Sequence, residues 1–507
     1  MTKWSSPPAC LLLLPLLSHA AQRDPSPTLT VGTRLVQIDV LVRDKNGPVT
    51  NLTRDDFTIL DQGRPQQISV FSTSAALASV TSATPLSPGA ISNRQDPAGR
   101  PLPGATIILF DLLNTQFDLQ GYMRHQMQKY LESLRGTEQV AIYALGKNLT
   151  VLQDFTDDPQ KLIQAIRNFN PKLNELITLN TENMDAIDRQ MYGDMAPFYV
   201  QIRADITSQA VARIAQHMSG MPGRKSLIWL SGSPGINATP VLRAANINLY
   251  PVLARSVGTS GVVGWLRDAR ENGLANPLPI PAGNEIAIQR ANAALAASMG
   301  GAGFNDVKDL ARAVQQAAED ATHTYTLGFY PAEETLDRKF HVLTVNVARK
   351  TRPPLEIRYR PGYLALPTGV ALNPAAAKAA SIASLFESPL TVTAIGLTAR
   401  STPAGPAKYN VDLKVDLHDL HFEIQGARHL AELETAFQIE GSAALVVRDS
   451  LKIQLTDDQL RQALDNGLLI QKSFDTEGPN RAVRIVVRDL STGSLGSLRV
   501  PLGNPQK

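Results

Sequence analysis

Residues 105–115 read Ala-Thr-Ile-Ile-Leu-Phe-Asp-Leu-Leu-Asn-Thr, and this stretch decides the fold of the chain. Its apolar residues follow one another almost without alternation, which is typical of a strand buried on both faces of a helix-covered parallel sheet. Asp111 stands where that strand should end, and Thr115 follows four residues later. Because ligands of open α/β sheets bind beyond the carboxyl ends of the strands, the sequence predicts a site here.

The segments that follow this strand alternate between helical and extended patterns. Apolar residues at helical spacing run up to Leu134, and Asp158-Pro159 begins a further helix with a cap residue followed by proline. Residues 225–230 predict a second fully buried strand, which brings the segment 231–235 to the same sheet edge as Asp111. We therefore predict an α/β domain over residues 105–331 with a central, mostly parallel sheet.

Regions with strand patterns lie on both sides of the predicted α/β domain. Residues 30–72 predict a small β unit of three short strands, and residues 332–365 predict strands that pack with it, since three short strands alone are marginally stable. Residues 388–507 predict a C-terminal β-sandwich of immunoglobulin type, with the strand pattern of 411–418 continuing extended towards His421. The Ser-, Pro- and Gly-rich segments 73–104 and 366–387 predict linkers.

The first twenty residues predict a signal peptide with cleavage after Ala20. Lys3 precedes an apolar segment, residues 9–17, and Ser18-His19-Ala20 provides small residues at the cleavage site. The apolar segment is shorter than the roughly 20 residues that span a bilayer, and no later segment is long and apolar enough. We therefore predict a secreted or periplasmic protein without a membrane span.

Cysteine content and charge exclude several classes of function. Cys10 is the single cysteine and lies in the predicted signal peptide, so the mature chain would have neither disulfides nor thiolate chemistry. Lys and Arg number 49 against 46 Asp and Glu, and the charges are interspersed. The sequence therefore gives no indication of nucleic-acid binding.

Several motifs spread over residues 30–365 resemble a family of secreted bacterial proteins usually called VWFA-related, first noted in Acidobacteria. They are Leu-Thr-Arg-Asp-Asp-Phe at 52–57 with Asp-Gln-Gly at 61–63, the strand end 111–115, Gly-Arg-Lys-Ser-Leu-Ile-Trp-Leu-Ser-Gly at 223–232, and Tyr-Thr-Leu-Gly-Phe-Tyr-Pro at 325–331. The resemblance implies a Rossmann-like von Willebrand factor A domain. The predicted C-terminal sandwich lies outside it.

The resemblance also implies where a metal would bind. Von Willebrand factor A domains hold Mg²⁺ through an Asp-x-Ser-x-Ser strand end, a distant threonine and a later aspartate. In this sequence Asp111 and Thr115 match the first and third positions, but Leu113 replaces the middle serine and Ser231-Gly232-Ser233 replaces the later Thr-Asp-Gly. Thr178 and Thr181 are the candidates for the distant threonine. Because Mg²⁺ requires about six oxygen ligands, we predict a degenerate site and no cofactor, with Asp111 either capping the sheet edge or ordering the turn at Asn114 and Thr115.

Enzymatic alternatives fit the sequence less well. The turn at 231–235 has serine in the first glycine position of a Gly-x-Ser-x-Gly nucleophile motif, and Pro234 removes a backbone N–H that an oxyanion hole could use. His418 and His421 would point to opposite faces of an extended strand, so a shared ligand would require a bend, and we interpret them as structural or surface residues. His125 and His217 lie within helical patterns and are interpreted as packing or surface residues.

The sequence therefore predicts an exported, non-enzymatic binding or scaffold protein. The sheet edge with Asp111, Asn114, Thr115, Ser231 and Ser233 would contact a protein or a polymer of the cell envelope. Two alternatives remain open. The first is a true Mg²⁺-dependent adhesion domain that uses Asp111 and Thr115, and the second is a hydrolase with an unrecognised active site.

Overall fold

The computed structural model describes residues 35–74, 86–95, 104–115, 117–133, 139–169, 186–232, 239–254, 285–332, 335–349, 354–365, 382–440, 447–475 and 481–502. The predicted signal peptide, Ser233, Thr178 and Thr181 lie outside these residues. The described residues all belong to one unit, Gly32–Lys507.

The strands of the described residues are β1 (Val36–Asp44), β2 (Gly47–Pro48), β3 (Phe57–Asp61), β4 (Arg64–Gln66), β5 (Val70–Thr73), β6 (Ala90–Ser92), β7 (Thr106–Asp111), β8 (Val140–Leu145), β9 (Leu149–Thr156), β10 (Lys225–Ser231), β11 (Ile247–Leu253), β12 (Tyr325–Phe329), β13 (Phe340–Val347), β14 (Glu356–Arg358), β15 (Gly362–Leu364), β16 (Leu397–Gly405), β17 (Lys408–Val415), β18 (Glu423–Gln425), β19 (Arg428–Ile439), β20 (Val447–Leu455), β21 (Leu468–Asp475), β22 (Arg481–Asp489) and β23 (Leu495–Leu502). The α-helices are α1 (Phe117–Ser133), α2 (Pro159–Asn168), α3 (Ala186–Met218), α4 (Thr239–Ala244), α5 (Glu285–Ser298), α6 (Leu310–Thr322), α7 (Ile382–Glu387) and α8 (Asp457–Asn466).

The predicted buried strand is the middle strand of a five-stranded sheet. The order is β11-β10-β7-β8-β9, in which the first four strands are parallel and β9 is antiparallel to β8. Every residue of β7 and of β10 is buried, as their uninterrupted apolar sequences predict. The Asp158 side chain accepts a hydrogen bond from the N–H of Gln160 and so begins α2 at Pro159, which confirms that predicted helix.

Helices cover both faces of this sheet. On one face Ile107 and Leu109 share a hydrophobic cluster with Val211 and Ile214 of α3. On the other face Ile108 and Phe110 pack in a second cluster, with side chains from α1, α2 and α6. The chain therefore has a mixed α/β region built on a largely parallel sheet, and its von Willebrand factor A subtype stays a prediction.

A second region consists of two small antiparallel sheets around one hydrophobic cluster. Their orders are β14-β1-β12-β5 and β15-β13-β3-β4. The cluster includes Val40, Ile59, Tyr325 and Leu343, one from each of four strands. The Tyr325 hydroxyl donates to the carbonyl of Val49 at 2.8 Å, so this buried phenol is satisfied.

The boundary predicted at residue 331 differs from the strand pairing. Strand β12 lies within the predicted α/β range of 105–331, but it pairs with β1 and β5 in an antiparallel sheet. The reason is its alternating sequence, which buries Tyr325, Leu327 and Phe329 in the β cluster. The α/β region therefore ends with α6.

The C-terminal region has two antiparallel sheets that enclose a third hydrophobic cluster. One sheet has the order β21-β17-β16-β6, and the other has the order β18-β19-β22-β23 with β20 paired to β19. Thr456 caps α8 in a capping box with Gln459, and the helix lies over residues 457–466, where the pattern predicts one. The immunoglobulin type of this region stays a prediction.

Three segments of this region differ from the predictions. Residues 90–92, in the predicted linker 73–104, form β6 and pair with β16, and residues 382–387, in the predicted linker 366–387, form α7. The strand predicted through His418 ends at Val415, because the Asp416 side chain accepts from the N–H of His418 and begins a short 3₁₀ helix, Leu417–Asp419.

Candidate functional site

The candidate site lies at the carboxyl edge of the central sheet, where β7 and β10 end side by side. Phe110 of β7 is paired with Leu230 of β10 in parallel register, so Asp111 and Ser231 are the last residues of two adjacent strands. Both residues are fully buried. The sequence prediction that these two strand ends share one edge is confirmed, and the edge is occupied by polar side chains that face each other.

The Asp111 carboxylate accepts hydrogen bonds from three neighbouring residues. One oxygen, Oδ1, accepts from the backbone N–H of Asn114 at 3.0 Å and from its side-chain amide at 3.1 Å. The other oxygen, Oδ2, accepts from the Asn114 amide at 2.9 Å, from the Trp229 indole N–H at 3.0 Å and from the Ser231 hydroxyl at 2.8 Å. The carboxylate thus orders the turn at Asn114, as predicted, and also ties β7 to β10.

Thr115 completes the turn by joining the two strand ends. Its hydroxyl donates to the carbonyl of Asp111 at 2.5 Å and accepts from the backbone N–H of Gly232 at 2.9 Å. The side-chain amide of Gln120 donates to the carbonyls of Leu112 and Thr115, both at 3.1 Å. The Thr115 hydroxyl and the backbone groups named here therefore all form hydrogen bonds within the protein.

The sequence patterns did not predict two residues of the site. Trp229 lies in an apolar strand, where a tryptophan indicates core packing, yet its N–H reaches Asp111. Thr207 of α3 accepts a hydrogen bond from the Asn114 amide at 2.9 Å and is itself buried. Thr207 follows Asn114 by 93 positions along the chain. The amphipathic spacing of α3 predicts which residues share a helix face, but it does not predict which hydroxyl group contacts the turn at Asn114.

Burial and hydrogen bonding act on the Asp111 carboxyl in opposite directions. Complete burial raises its pKa because the charged form loses water, and the hydrogen bonds from Asn114, Trp229 and Ser231 lower the pKa by stabilising that form. Burial is the larger effect, so the pKa of Asp111 is raised from its ordinary value.

The donor set around Asp111 does not fit the ligand requirements of Mg²⁺. The ion needs about six oxygen ligands, but two of the groups that contact this carboxylate are the N–H donors of Asn114 and Trp229, which cannot coordinate a cation. Leu113 is buried in the hydrophobic cluster on the side of α3. Among the described residues no three His, Cys, Asp or Glu side chains come together in a way that could hold a metal.

The histidines considered in the sequence lie away from this edge. His125 is exposed on α1, and His217 is buried on α3, where its ring stacks on Phe155 at a centroid distance of 5.7 Å. The exposed His418 ring contacts Asp416 at 2.8 Å, and the backbone N–H of His421 donates to Asp489. None of these contacts brings two histidine rings onto a common ligand.

None of the helices in the described part of the chain combines the length and the apolar character needed to cross a lipid bilayer. The chain matches no protein-family model, and no curated protein matches it.

Solved structures give matches of low identity. An aerotolerance-related membrane protein from Bacteroides fragilis is 10% identical, with 42% of this chain and 98% of that chain covered at a TM-score of 0.26. The conserved hypothetical protein BatB from Bacteroides thetaiotaomicron has the same identity and coverage at a TM-score of 0.24. The vWF domain of the type V pili tip protein Mfa5 from Porphyromonas gingivalis is 13% identical, with 33% of this chain and 49% of that chain covered at a TM-score of 0.16.

Proposed function

We propose that this chain is an exported, non-enzymatic binding or scaffold protein whose central sheet edge contacts a protein or a cell-envelope polymer. The observation that carries the proposal is the hydrogen bonding of Asp111. Both of its oxygens accept from Asn114, and Oδ2 also accepts from Trp229 and Ser231. A carboxylate used in this way holds the edge in shape and is poorly placed to bind a cation or activate a nucleophile.

The position of Ser231 supports the non-enzymatic character of the edge. Its hydroxyl donates to Asp111 at 2.8 Å and is fully buried, whereas a serine nucleophile must be reached by its substrate. The surface available to a partner is then formed by the turns beyond the strand ends. The turn at Lys147 and Asn148 is exposed and follows Leu145, which is paired with Asp111 at the same edge.

Charge reversal in that turn tests the proposal. The purified full chain captures its partner from the envelope fraction of the source cells, and we expect Lys147→Glu to lose the captured material. Lys452→Glu, a charge reversal on the exposed face of β20, is the matched control and should capture the same material as the wild type. Equal capture by the Lys147 variant would contradict binding at this edge.

Metal and active-site probes separate the two alternatives from the proposal. We expect EDTA and Mg²⁺ to leave both capture and the melting temperature unchanged. Loss of capture in EDTA, or a reproducible rise of the melting temperature with Mg²⁺, would instead support a Mg²⁺-dependent adhesion domain. Covalent labelling of Ser231 by a serine-directed activity probe would support a hydrolase.

A further inference from the structure

His217, near the end of α3, joins the α/β region to the segment that leads into the C-terminal sheets. Its ring nitrogen Nδ1 lies 2.7 Å from the carbonyl oxygen of Thr391, and the Thr393 hydroxyl donates to the backbone carbonyl of His217 at 2.6 Å. The same hydroxyl accepts from the N–H of Gly220 at 2.9 Å. Residues 391–393 are therefore held against the end of α3 by hydrogen bonds around His217. We name this set of hydrogen bonds the His217 contact.

The His217 contact determines the tautomer of the neutral ring. A carbonyl oxygen only accepts hydrogen bonds, so Nδ1 carries the proton that is donated to Thr391. The other ring nitrogen, Nε2, then has a lone pair. It is buried and has no hydrogen-bond partner in the part of the chain that the structure describes. A second proton on this ring would have to be added at Nε2.

The surroundings of Nε2 disfavour a positive charge. The ring is stacked on Phe155 at a centroid distance of 5.7 Å and lies 6.2 Å from the ring of Tyr143. The Asp154 carboxylate is 3.8 Å from Nε2, which is too far for a hydrogen bond, and its side chain is 62% exposed to solvent. Water therefore screens this carboxylate, whereas the side chain of His217 is only 3% exposed.

Burial is the largest influence on the protonation of His217. It lowers the pKa of His217 from its ordinary value of 6.5, because the charged ring would lose its water. The charge of Asp154 and the hydrogen bond to Thr391 raise the pKa by smaller amounts. The geometry of the contact and the direction of the pKa shift therefore agree that the closed contact holds a neutral ring.

Three other groups near the contact keep their charge between pH 7 and pH 5. Burial raises the pKa of Tyr143 well above its ordinary value, so this phenol is neutral. Lys225 donates to the carbonyl of Ser219 at 3.1 Å, and burial lowers its pKa to about 8, so it is positive below pH 7. Arg94, which donates to the carbonyl of Thr393 at 3.0 Å, carries a guanidinium that stays protonated.

We propose that the His217 contact is an acid-sensitive switch, in which a proton added at Nε2 weakens the attachment of residues 391–393 to α3. The added charge lies between Phe155 and Tyr143, where water cannot solvate it, so the open form of the contact gains population. Residues 391–393 lead into β16. Acidification from pH 7 to pH 5 therefore loosens the attachment of the C-terminal sheets while the central parallel sheet keeps its structure.

Hydrogen exchange of the full chain at pH 7 and pH 5, followed by mass spectrometry, tests the proposal. The reference is His217→Asn, whose side-chain amide can donate to Thr391 but cannot gain a proton. We expect the ratio of wild-type to variant exchange rates in residues 392–397 to rise roughly threefold or more from pH 7 to pH 5. The reason is that the pKa of His217 is lower in the closed contact, so below about pH 6.5 the open form binds more protons.

The ratio isolates His217 from the other effects of acid. The intrinsic pH dependence of exchange cancels, and so does the titration of Asp419, which pairs with Arg94 and whose pKa is raised by burial. His125→Asn, at an exposed histidine of α1, is the matched control and should show the wild-type response. An unchanged ratio at the two pH values would overturn the proposal.

Asp154→Asn provides a second test, which decides the matter if His217→Asn does not fold. Removing this exposed carboxylate makes a charge at Nε2 still less favourable, because Asp154 raises the pKa of His217. Exchange in residues 392–397 of this variant, relative to the wild type, should therefore increase from pH 7 to pH 5. A relative rate that stays constant or falls would show that Nε2 gains no proton in the contact and would overturn the switch.

Discussion

Asp111 is buried in the core, and no Lys, Arg or His side chain of the described residues forms an ion pair with its carboxyl group. Its stabilisation comes from dipoles: an amide, an indole N–H and a hydroxyl from Asn114, Trp229 and Ser231. Hydrogen bonds to a charged group each contribute about 1.5–3 kcal/mol, so a small set of them can offset much of the cost of burial. This arrangement explains why a strand that is otherwise apolar ends in a carboxylate.

Asp111→Asn should destabilise the protein even though the asparagine side chain has the same shape as that of aspartate. One carboxylate oxygen becomes an NH₂ group, which would face the donors of Asn114 or those of Trp229 and Ser231. We expect the free energy of unfolding to fall by about 2–3 kcal/mol, measured by urea denaturation at pH 8 in EDTA. Asp205→Asn, at an exposed acid of α3, should change it by less than 0.5 kcal/mol. An Asp111→Asn variant as stable as the wild type would show that the carboxylate does not hold the edge.

Lys225 should make the free energy of unfolding rise with pH above about 8. Its pKa is lowered to about 8 in the folded protein from an ordinary value of 10.5, so between these values the unfolded chain binds more protons. In that window the wild type should gain about 1.4 kcal/mol per pH unit relative to Lys225→Met. The measurement is urea denaturation of both proteins at pH 7, 8, 9 and 10. A constant difference between them would show that the lysine titrates at its ordinary pKa.

Among the elements, the turn after β10 depends on the absence of a side chain at position 232. A carbon atom added at Gly232 would lie 2.7 Å from the carbonyl oxygen of Asn114, a contact that the backbone of the neighbouring turn cannot relieve easily. Gly232→Ala should therefore cost about 1–3 kcal/mol and weaken the hydrogen bond between Gly232 and Thr115. Chemical denaturation and amide exchange at residue 232 measure the two effects.

Gly121→Ala is the matched substitution with the opposite expected sign. Gly121 lies inside α1, and a carbon atom added there has no neighbour within 4 Å. Alanine favours the helix over glycine by about 0.5–1 kcal/mol, so this variant should be more stable than the wild type. Equal destabilisation by both substitutions would indicate a general effect of replacing glycine and would contradict the steric argument for Gly232.

At the scale of the whole molecule, residues 90–94 lie in the first fifth of the chain but contact the C-terminal sheets and hold them in place. The side chain of Asn93 donates to the carbonyls of Val392 and Ile395 and accepts from the N–H of Leu397. Arg94 donates to the carbonyl of Thr393 and pairs with Asp419 at 2.9 Å. A carbon atom at Gly220, just after α3, would clash with the Thr393 carbonyl, so the α/β region also packs closely here.

Asn93→Ala should therefore loosen a region far away in sequence. The substitution removes the Asn93 hydrogen bonds from the Ile395 carbonyl and the Leu397 N–H, while the Val392 carbonyl keeps the N–H of Ser497. We therefore expect amide protection to fall in β16 and β17 while β7 and β10 keep theirs. Hydrogen exchange followed by mass spectrometry measures both regions in one experiment. Arg64→Ala, at an exposed residue of β4, serves as the control and should leave the exchange of β16 unchanged. Unchanged protection in the Asn93 variant would mean that β16 is held by its pairing with β17 alone.

The sequence predicted the parts of the fold that local patterns encode. The buried strands at 106–111 and 225–231 and the helix that Asp158-Pro159 begins follow from hydrophobicity and capping, and the structure has them. Strand β6 was missed because three residues, Ala-Ile-Ser, carry no periodicity within a Ser- and Pro-rich segment. Its partner, β16, is fixed by contacts with residues about 300 positions away, which no local pattern records.

The same limit applies to the candidate site. The position of a carboxylate at a strand end predicts Asp111, Thr115 and Ser231 at one edge, and the structure brings them together. The donors from Trp229 and Thr207 depend on how a strand and a helix pack, and this information is not in their own sequence patterns. The roles of these residues in binding stay predictions.

The strand at 90–92 also constrains how the protein can be made. Asn93 and Leu397 are 304 positions apart, so the sheet that joins them stays open until most of the polypeptide has been synthesised. The entropy of closing such a long loop must be lost before the pairing of β6 with β16 stabilises the chain. This favours slow formation of the sheet. A chain that ends between residues 93 and 397 would contain β6 without its partner strand β16, and the unpaired strand edge would be open to pairing with other chains.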